Sequence, residues 1–268
     1  LFTSSAATFA GQTAPANVAS LKGYLTLFGS TKEVSIRNPA TDVVAGGGGG
    51  STLNLTTSPF LLNFDGLGGG SLPTGVYVKV GANSTSIGSG DGALFNGLAA
   101  TDWTNTSAGV KNFASATGLT SAANSATQSA HTNRALGFRQ TGTATTSGDP
   151  GVAFSFQLAN TLSKNNFQLS FLLQQLDPTV AATPRVATWV VEYGVGANPS
   201  SFTAIATVPT PLSTTFGTWI STPVTVNFGS ALNNLNQPVW IRIVTLTATT
   251  GSGSRPSTAV DNFQLTWN

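Results

Sequence analysis

The chain has 268 residues, enough for one large β-domain with an appendage or for two small domains, and only 7% of them are charged, where ordinary domains carry about 25%. Its net charge of +2 comes from basic side chains scattered singly, as at Lys79, Lys111, Arg185 and Arg242, so no basic stripe exists to follow a nucleic-acid backbone. There is no Cys and no Met, which excludes disulfides and thiol catalysis, and no apolar run reaches the ~18 residues of a membrane-spanning helix.

Gly, Ser, Thr, Asn and Ala are abundant, so hydroxyls and amides replace charge as the means of staying hydrated. A chain that begins at Leu1 is expected to have lost a signal peptide, or to have been trimmed there. Together with the missing oxidisable side chains, this predicts a secreted, extracellular or cell-surface protein.

In chain order, the stretch "NVASLKGYLTLFGSTKEVSIRNPATDVV" (17–44) reads as two strands near 19–28 and 32–37, joined by a turn at Gly29 and Ser30, with a third short strand at Asp42 to Val44. Its apolar residues Leu21, Tyr24, Leu25, Leu27, Phe28, Val34 and Ile36 have too few strands around them to be covered, because two- and three-stranded sheets need something to pack against. "AGGGGGSTLNL" (45–55) follows, and six flexible residues span roughly 12–15 Å. The expected division is an appendage at 1–45, a Gly/Ser/Thr-rich linker at 46–58 and one domain at 59–268.

Beyond the linker, short runs alternate apolar and polar residues between Gly, Pro, Asn and Ser clusters, the pattern of strands. These runs are "FLLNFD" (60–65), "GVYVKV" (75–80), "RALGFRQ" (134–140), "VAFSFQL" (152–158), "FQLSFLLQQL" (167–176), "VATWVVEY" (186–193), "VTVNF" (224–228), "VWIRIVTLT" (239–247) and "AVDNFQLTW" (259–267). "SAANSATQSA" (121–130) has no apolar stripe and is expected to be a loop. The resulting fold class is all-β, an antiparallel two-sheet jelly-roll sandwich with an N-terminal β-hairpin appendage.

The ends of this domain, "FLLNFDGLGGGSLPTGV" (60–76) and "RPSTAVDNFQLTWN" (255–268), carry a resemblance. They are similar to the secreted jelly-roll modules of Bacteroidetes surface proteins, the choice-of-anchor and MAM-like sandwiches, which open with an aromatic–Asp strand and an "LPTGW"-like turn and close on an Asp–Phe strand. Val76 stands here where Trp is usual, and Asn262 where a second Asp is usual. The stretch "LKGYLTLFGSTKEVSIRNPATDVV" (21–44) also resembles the last strands of a small OB-like module. The resemblance implies a β-sandwich and, in many such sandwiches, a structural Ca²⁺ where first and last strands meet.

No residue pattern here supports catalysis. The single histidine, His131, sits in the polar segment "SAHTNRA" (129–135), and no Gly-x-Ser-x-Gly elbow occurs. Of the two glutamates, Glu33 adjoins Lys32 in a turn and Glu192 reads as an exposed strand residue, while Asp91, Asp102, Asp149 and Asp177 lie in turn contexts where Asp caps backbone N–H groups. Strict alternation puts Asp261 on the face of Phe263, Leu265 and Trp267, aimed at the core, where an anion requires hydrogen bonds or a cation. Asp65 would supply a second carboxylate to Ca²⁺; the alternative is that both aspartates accept backbone hydrogen bonds or pair with Arg. No other cofactor is expected.

Two functions follow as expectations. The first is a non-enzymatic structural subunit that polymerises into a filament or surface layer, the appendage at 1–45 adding to the sheet edge of a neighbouring copy with the seven apolar residues named above as plugs. The alternative is a carbohydrate-binding or adhesive module, with Tyr77, Trp103 and Trp240 as platforms for sugar rings. The expected partner is the protein itself or a polysaccharide, and neither nucleic acid nor a membrane span is implied.

Overall fold

The computed structural model describes residues 18–21, 24–35, 43–45, 52–67, 72–89, 108–116, 125–142, 144, 148–175, 185–215, 217 and 219–268. The chain divides into two compact units, residues 1–51 and 52–268.

In the first unit, β1 (Val18–Leu21) pairs antiparallel with β4 (Val43–Ala45), and β2 (Tyr24–Phe28) pairs antiparallel with β3 (Thr31–Ser35). The hairpin expected at Gly29 and Ser30 is there: Phe28 faces Thr31, and Gly29 takes φ +62°, a conformation that glycine adopts without steric cost. The expected single strand over 19–28 is instead two strands in different ladders. Gly23 lies between them in sequence, and glycine weakens a strand interior.

The second unit is the sandwich, and all nine strands expected from alternation are present. They are β5 (Phe60–Leu62), β6 (Val76–Lys79), β8 (Arg134–Arg139), β9 (Ala153–Leu158), β10 (Gln168–Gln175), β11 (Ala187–Val195), β15 (Ile220–Asn227), β16 (Val239–Val244) and β17 (Ser257–Thr266). Four more join them: β7 (Gly109–Ala114), β12 (Thr203–Ile205), β13 (Thr207–Val208) and β14 (Leu212–Thr214). Residues Ser125–Ser129 form a short helix, α1, where a loop was expected; the Gln128 side chain accepts a hydrogen bond from Ala114 N at 2.9 Å, and this tertiary contact substitutes for the missing apolar stripe.

One sheet runs β13-β15-β10-β17-β8-β7, with β5 also on β17; the other runs β12-β11-β16-β9-β6, with β14 also on β11. All of these pairings are antiparallel, and two antiparallel sheets in this arrangement make the jelly-roll sandwich. The core between them is aromatic and aliphatic. Phe156 of one sheet stacks on Phe263 of the other with ring centroids 3.7 Å apart, and Phe154 stacks on Trp189 at 5.6 Å. Each such side chain contributes about 1.5–3 kcal/mol by burial, and an aromatic pair adds about 0.5–1.5 kcal/mol. The Trp189 indole N–H donates to Thr214 Oγ1 at 2.9 Å, so its polar edge is satisfied.

The expected linker at 46–58 ends earlier than the glycine pattern implied. Leu53 and Leu55 are buried in the core, Leu53 N donates to Gln157 O at 2.7 Å, and Ala159 N donates to Leu53 O at 2.9 Å. Gly75 makes this approach feasible: at φ +73° it has no side chain, and a Cβ there would lie 2.6 Å from Leu53 N.

Candidate functional site

The outer face of the β12-β11-β16-β9-β6 sheet gathers the residues that alternation marked as a sugar platform. Register places Tyr77 beside Ser155, and Gln157 beside Trp240. Tyr77 and Trp240 pack with ring centroids 5.3 Å apart and tilted by 41°, the Tyr77 hydroxyl donates to Gln157 Oε1 at 3.3 Å, and Lys79 Nζ lies 4.8 Å from the Tyr77 ring centre. Trp240, however, is only 3% exposed, and its indole N–H donates to Ala197 O at 3.1 Å. A ring so covered offers no flat face to a sugar, which corrects its reading as a platform.

Arg242 and Glu192 complete this face, and Glu192 is buried, not exposed as expected. The Arg242 guanidinium meets Glu192 Oε2 through Nη2 at 2.6 Å and Nε at 2.8 Å, donates to the carbonyls of Asn83 and Ser86, and carries the Phe202 ring 3.4 Å from its central carbon. The 83–86 turn and the Phe202 segment thereby close over the sheet. Desolvation by burial lowers the Arg242 pKa from its ordinary value, while the Glu192 hydrogen bonds and charge work the other way. Around Trp240 and Arg242 this face is a closed polar and aromatic layer, with Tyr77 and Lys79 half-buried beside it.

Asp261 does not point where strict alternation put it. Leu172 faces Asp261, yet Ser170 faces Gln264, so two residues, Asn262 and Phe263, stand opposite Phe171. This bulge at Asn262, which has φ +50°, reverses the alternation. Phe263 remains in the core and Asp261 moves to the outer face with Leu172. It is still wholly buried, with Oδ2 accepting from Ser115 Oγ at 2.6 Å and Oδ1 from Asn262 N at 2.7 Å. Burial raises its pKa to about 6, the two hydrogen bonds oppose the rise, and the charge of Asp65 adds to it.

Asp65 is exposed; its Oδ1 accepts from Arg134 N at 2.9 Å and its Oδ2 from Asn63 Nδ2 at 2.6 Å. All four carboxylate oxygens thus accept a protein donor, the arrangement of the hydrogen-bonded alternative. Among the described residues no group of three His, Cys, Asp or Glu side chains is placed to hold a metal.

The outer face of the other sheet differs along its length. At its β7–β8 end it holds two buried cations: burial and the neighbouring Arg139 bring the Lys111 pKa down to about 8, and burial brings Arg139 down to about 10. Toward β13 it opens into a groove of about 490 Å³ lined by Gln168, Ser170, Thr225, Asn227, Gln264 and Thr266, with Ala206 and Val208 along one side. The described residues that line it carry no formal charge. Asparagine 227 is anchored, its Oδ1 accepting from Gly229 N at 2.8 Å. Sequence reasoning missed this site, because exposed Gln, Ser and Thr on a strand are the ordinary signature of a solvated face.

The remaining residues expected at sites are placed as follows. Leu21 lies in β1, Tyr24, Leu25, Leu27 and Phe28 in β2, and Val34 in β3, whose backbone pairing alone is described; Ile36 and Trp103 lie outside the described residues. His131 follows α1, where its N donates to Gln128 O at 3.3 Å and its carbonyl accepts from Arg134 Nη1 at 3.3 Å. Asp149, expected to cap its own turn, accepts instead from Thr249 N and Oγ1 at 2.8 Å each, 100 residues away in sequence, and also pairs with Arg255.

No family model matches the chain, and no curated protein matches it either. Among solved structures, it is similar to a CBM22-2 xylan-binding domain from Paenibacillus barcinonensis, at 10% identity over 78% of this chain and 99% of that one, with a TM-score of 0.39. It is also similar to the K1 cleaved adhesin domain of Lys-gingipain from Porphyromonas gingivalis, at 13% identity over 79% and 99%, with a TM-score of 0.35. A third likeness is to the N-terminal CBM22-1 and GH10 modules of an endo-1,4-β-D-xylanase from Clostridium thermocellum, at 10% identity and TM-score 0.30; it covers 51% of this chain and 22% of that one. Likenesses this weak carry no statement about what this chain does.

Proposed function

We propose that residues 52–268 form a non-enzymatic polysaccharide-binding module of a secreted or cell-surface protein, with the groove on the outer face of β17, β10, β15 and β13 as its ligand site. The observation that carries this reading is the chemistry of that groove: three amide and three hydroxyl side chains beside Ala206 and Val208. A sugar ring presents hydroxyls, which both donate and accept, alternating with C–H faces, and amides and hydroxyls answer the first as aliphatic groups answer the second. Among the described residues, three carboxylates support the non-enzymatic reading by their present use. Glu192 is held by Arg242, Asp149 by Arg255 and Thr249, and Asp261 by Ser115. The test is affinity electrophoresis of the protein through gels containing single polysaccharides. Retardation by at least one of them, relieved in Gln264→Ala, is the expected result, and free migration through all of them would reject the reading.

A second reading is favoured by the first unit, whose described strands pair as β1–β4 and β2–β3. Two-stranded sheets are marginal alone, and self-association through residues 18–45 would give them cover. Sedimentation of the full chain against residues 52–268 tests this: concentration-dependent oligomers of the full chain alone are expected, and identical monomers would reject it.

A further inference from the structure

We propose that this groove selects neutral polysaccharides and rejects acidic ones, with the sugar chain lying across the strands; the inference rests on the polysaccharide reading above and adds the class of ligand and its direction. Direction comes from register. Gln264 faces Leu61 on β5 and Ser170 on β10, Ser170 faces Thr225 on β15, and Thr225 faces Val208 on β13. Residues directly opposite in antiparallel strands share a face, so Leu61, Gln264, Ser170, Thr225 and Val208 form one row across five strands. At a strand spacing of about 4.8 Å the row is roughly 19 Å long. A second rank, Thr266, Gln168 and Asn227, runs beside it, since Gln168 faces both of the others.

The two ends of the long row are aliphatic and open to solvent: Leu61 is 52% exposed and Val208 69%. Between them stand only neutral groups. This order, alkyl then hydroxyl and amide then alkyl, suits an extended polymer that touches the ends with C–H faces and the middle with hydroxyls.

Class comes from charge. A carboxylate or sulfate ester entering the row would lose hydration without meeting a cation among the described lining residues, and a desolvated anion with no partner is costly. Such groups also only accept hydrogen bonds, whereas Gln, Asn, Ser and Thr side chains both donate and accept. Hydroxyls use both capacities and carboxylates waste half. The cations this face does possess, Lys111 and Arg139, belong to β7 and β8, away from the row.

Isothermal titration of the full chain with a neutral β-glucan, a neutral mannan, polygalacturonate and a sulfated galactan tests the inference. The expected result is binding of at least one neutral polymer, changing less than about twofold between low and high salt, with no binding of the acidic two. Ser170→Ala with Gln264→Ala, at an unchanged unfolding midpoint, should weaken that binding about tenfold, the effect of losing two modest hydrogen bonds. Gln264→Glu, which keeps the shape, should weaken it as well. Binding of acidic polymers alone would overturn the neutral selectivity and leave the polysaccharide reading standing. Neutral binding that survives both variants would overturn the placement in the groove, and no binding to any polymer would overturn the polysaccharide reading with it.

Discussion

The two sheets of this sandwich present outer faces built on opposite principles. The face of β6, β9, β16 and β11 carries the aromatic rings and a buried ion pair, and it is closed around that pair: Trp240 is covered, Arg242 is clasped by the 83–86 turn, and Phe202 lies on the guanidinium. The face of β17, β10, β15 and β13 carries hydroxyls and amides, and it is open as a groove. Large amphipathic side chains on a strand recruit a covering segment because their burial is favourable, whereas short neutral polar groups gain nothing from being covered. The lesson is that aromatic residues marked where this molecule holds itself together, and an unremarkable polar row marks where something else can lie.

The largest test of that contrast is on the closed face. Glu192→Ala leaves the Arg242 charge buried without its partner, and a loss of about 3–5 kcal/mol in unfolding free energy is expected from urea denaturation; a loss below 1 kcal/mol would mean that the clasp does not depend on the pair.

The next effect concerns the anion at the bulge. With a folded pKa of about 6, raised above its unfolded value, Asp261 holds a proton in the folded state between about pH 4 and 6 that the unfolded chain has released. Stability is therefore highest at the acidic end and falls as pH rises through that window, by at most about 1.4 kcal/mol per pH unit. Urea midpoints across the window should show this fall in the wild type and a flatter profile in Asp261→Asn. Equal profiles would show that Asp261 does not titrate there.

Smaller is Gly75→Ala. The left-handed backbone costs about 1–2 kcal/mol for a residue with a Cβ, and the close approach of Leu53 N adds to it; a lowered Tm with faster exchange of the Leu53 amide is the expected readout. Smallest is Gln264→Ala, within about 0.5 kcal/mol of wild type in stability, since its function is to meet a ligand.

Much of the fold was legible in the sequence, because period-two alternation is the direct imprint of a half-buried strand. "VAFSFQL" and "VWIRIVTLT" became central strands of one sheet for that reason. What was missed had a weaker imprint: β12, β13 and β14 are only two or three residues long, and β7 places Lys111 and Asn112 in buried positions, where composition argues against a strand. Asp261 was misplaced because a single extra residue reverses every side chain on one side of it. Glu192 was misread because its partner, Arg242, lies 50 residues away in sequence. The groove was invisible for a different reason, since strands from distant parts of the chain contribute a few residues each and no local motif records the row.

The most direct measurement is an amide NMR titration of the protein with a soluble neutral oligosaccharide. Shifts are predicted at Ser170, Thr225, Gln264 and Val208, with Tyr77, Gln157 and Gly194 unmoved. Shifts confined to the latter three would place the ligand on the closed face and contradict the account.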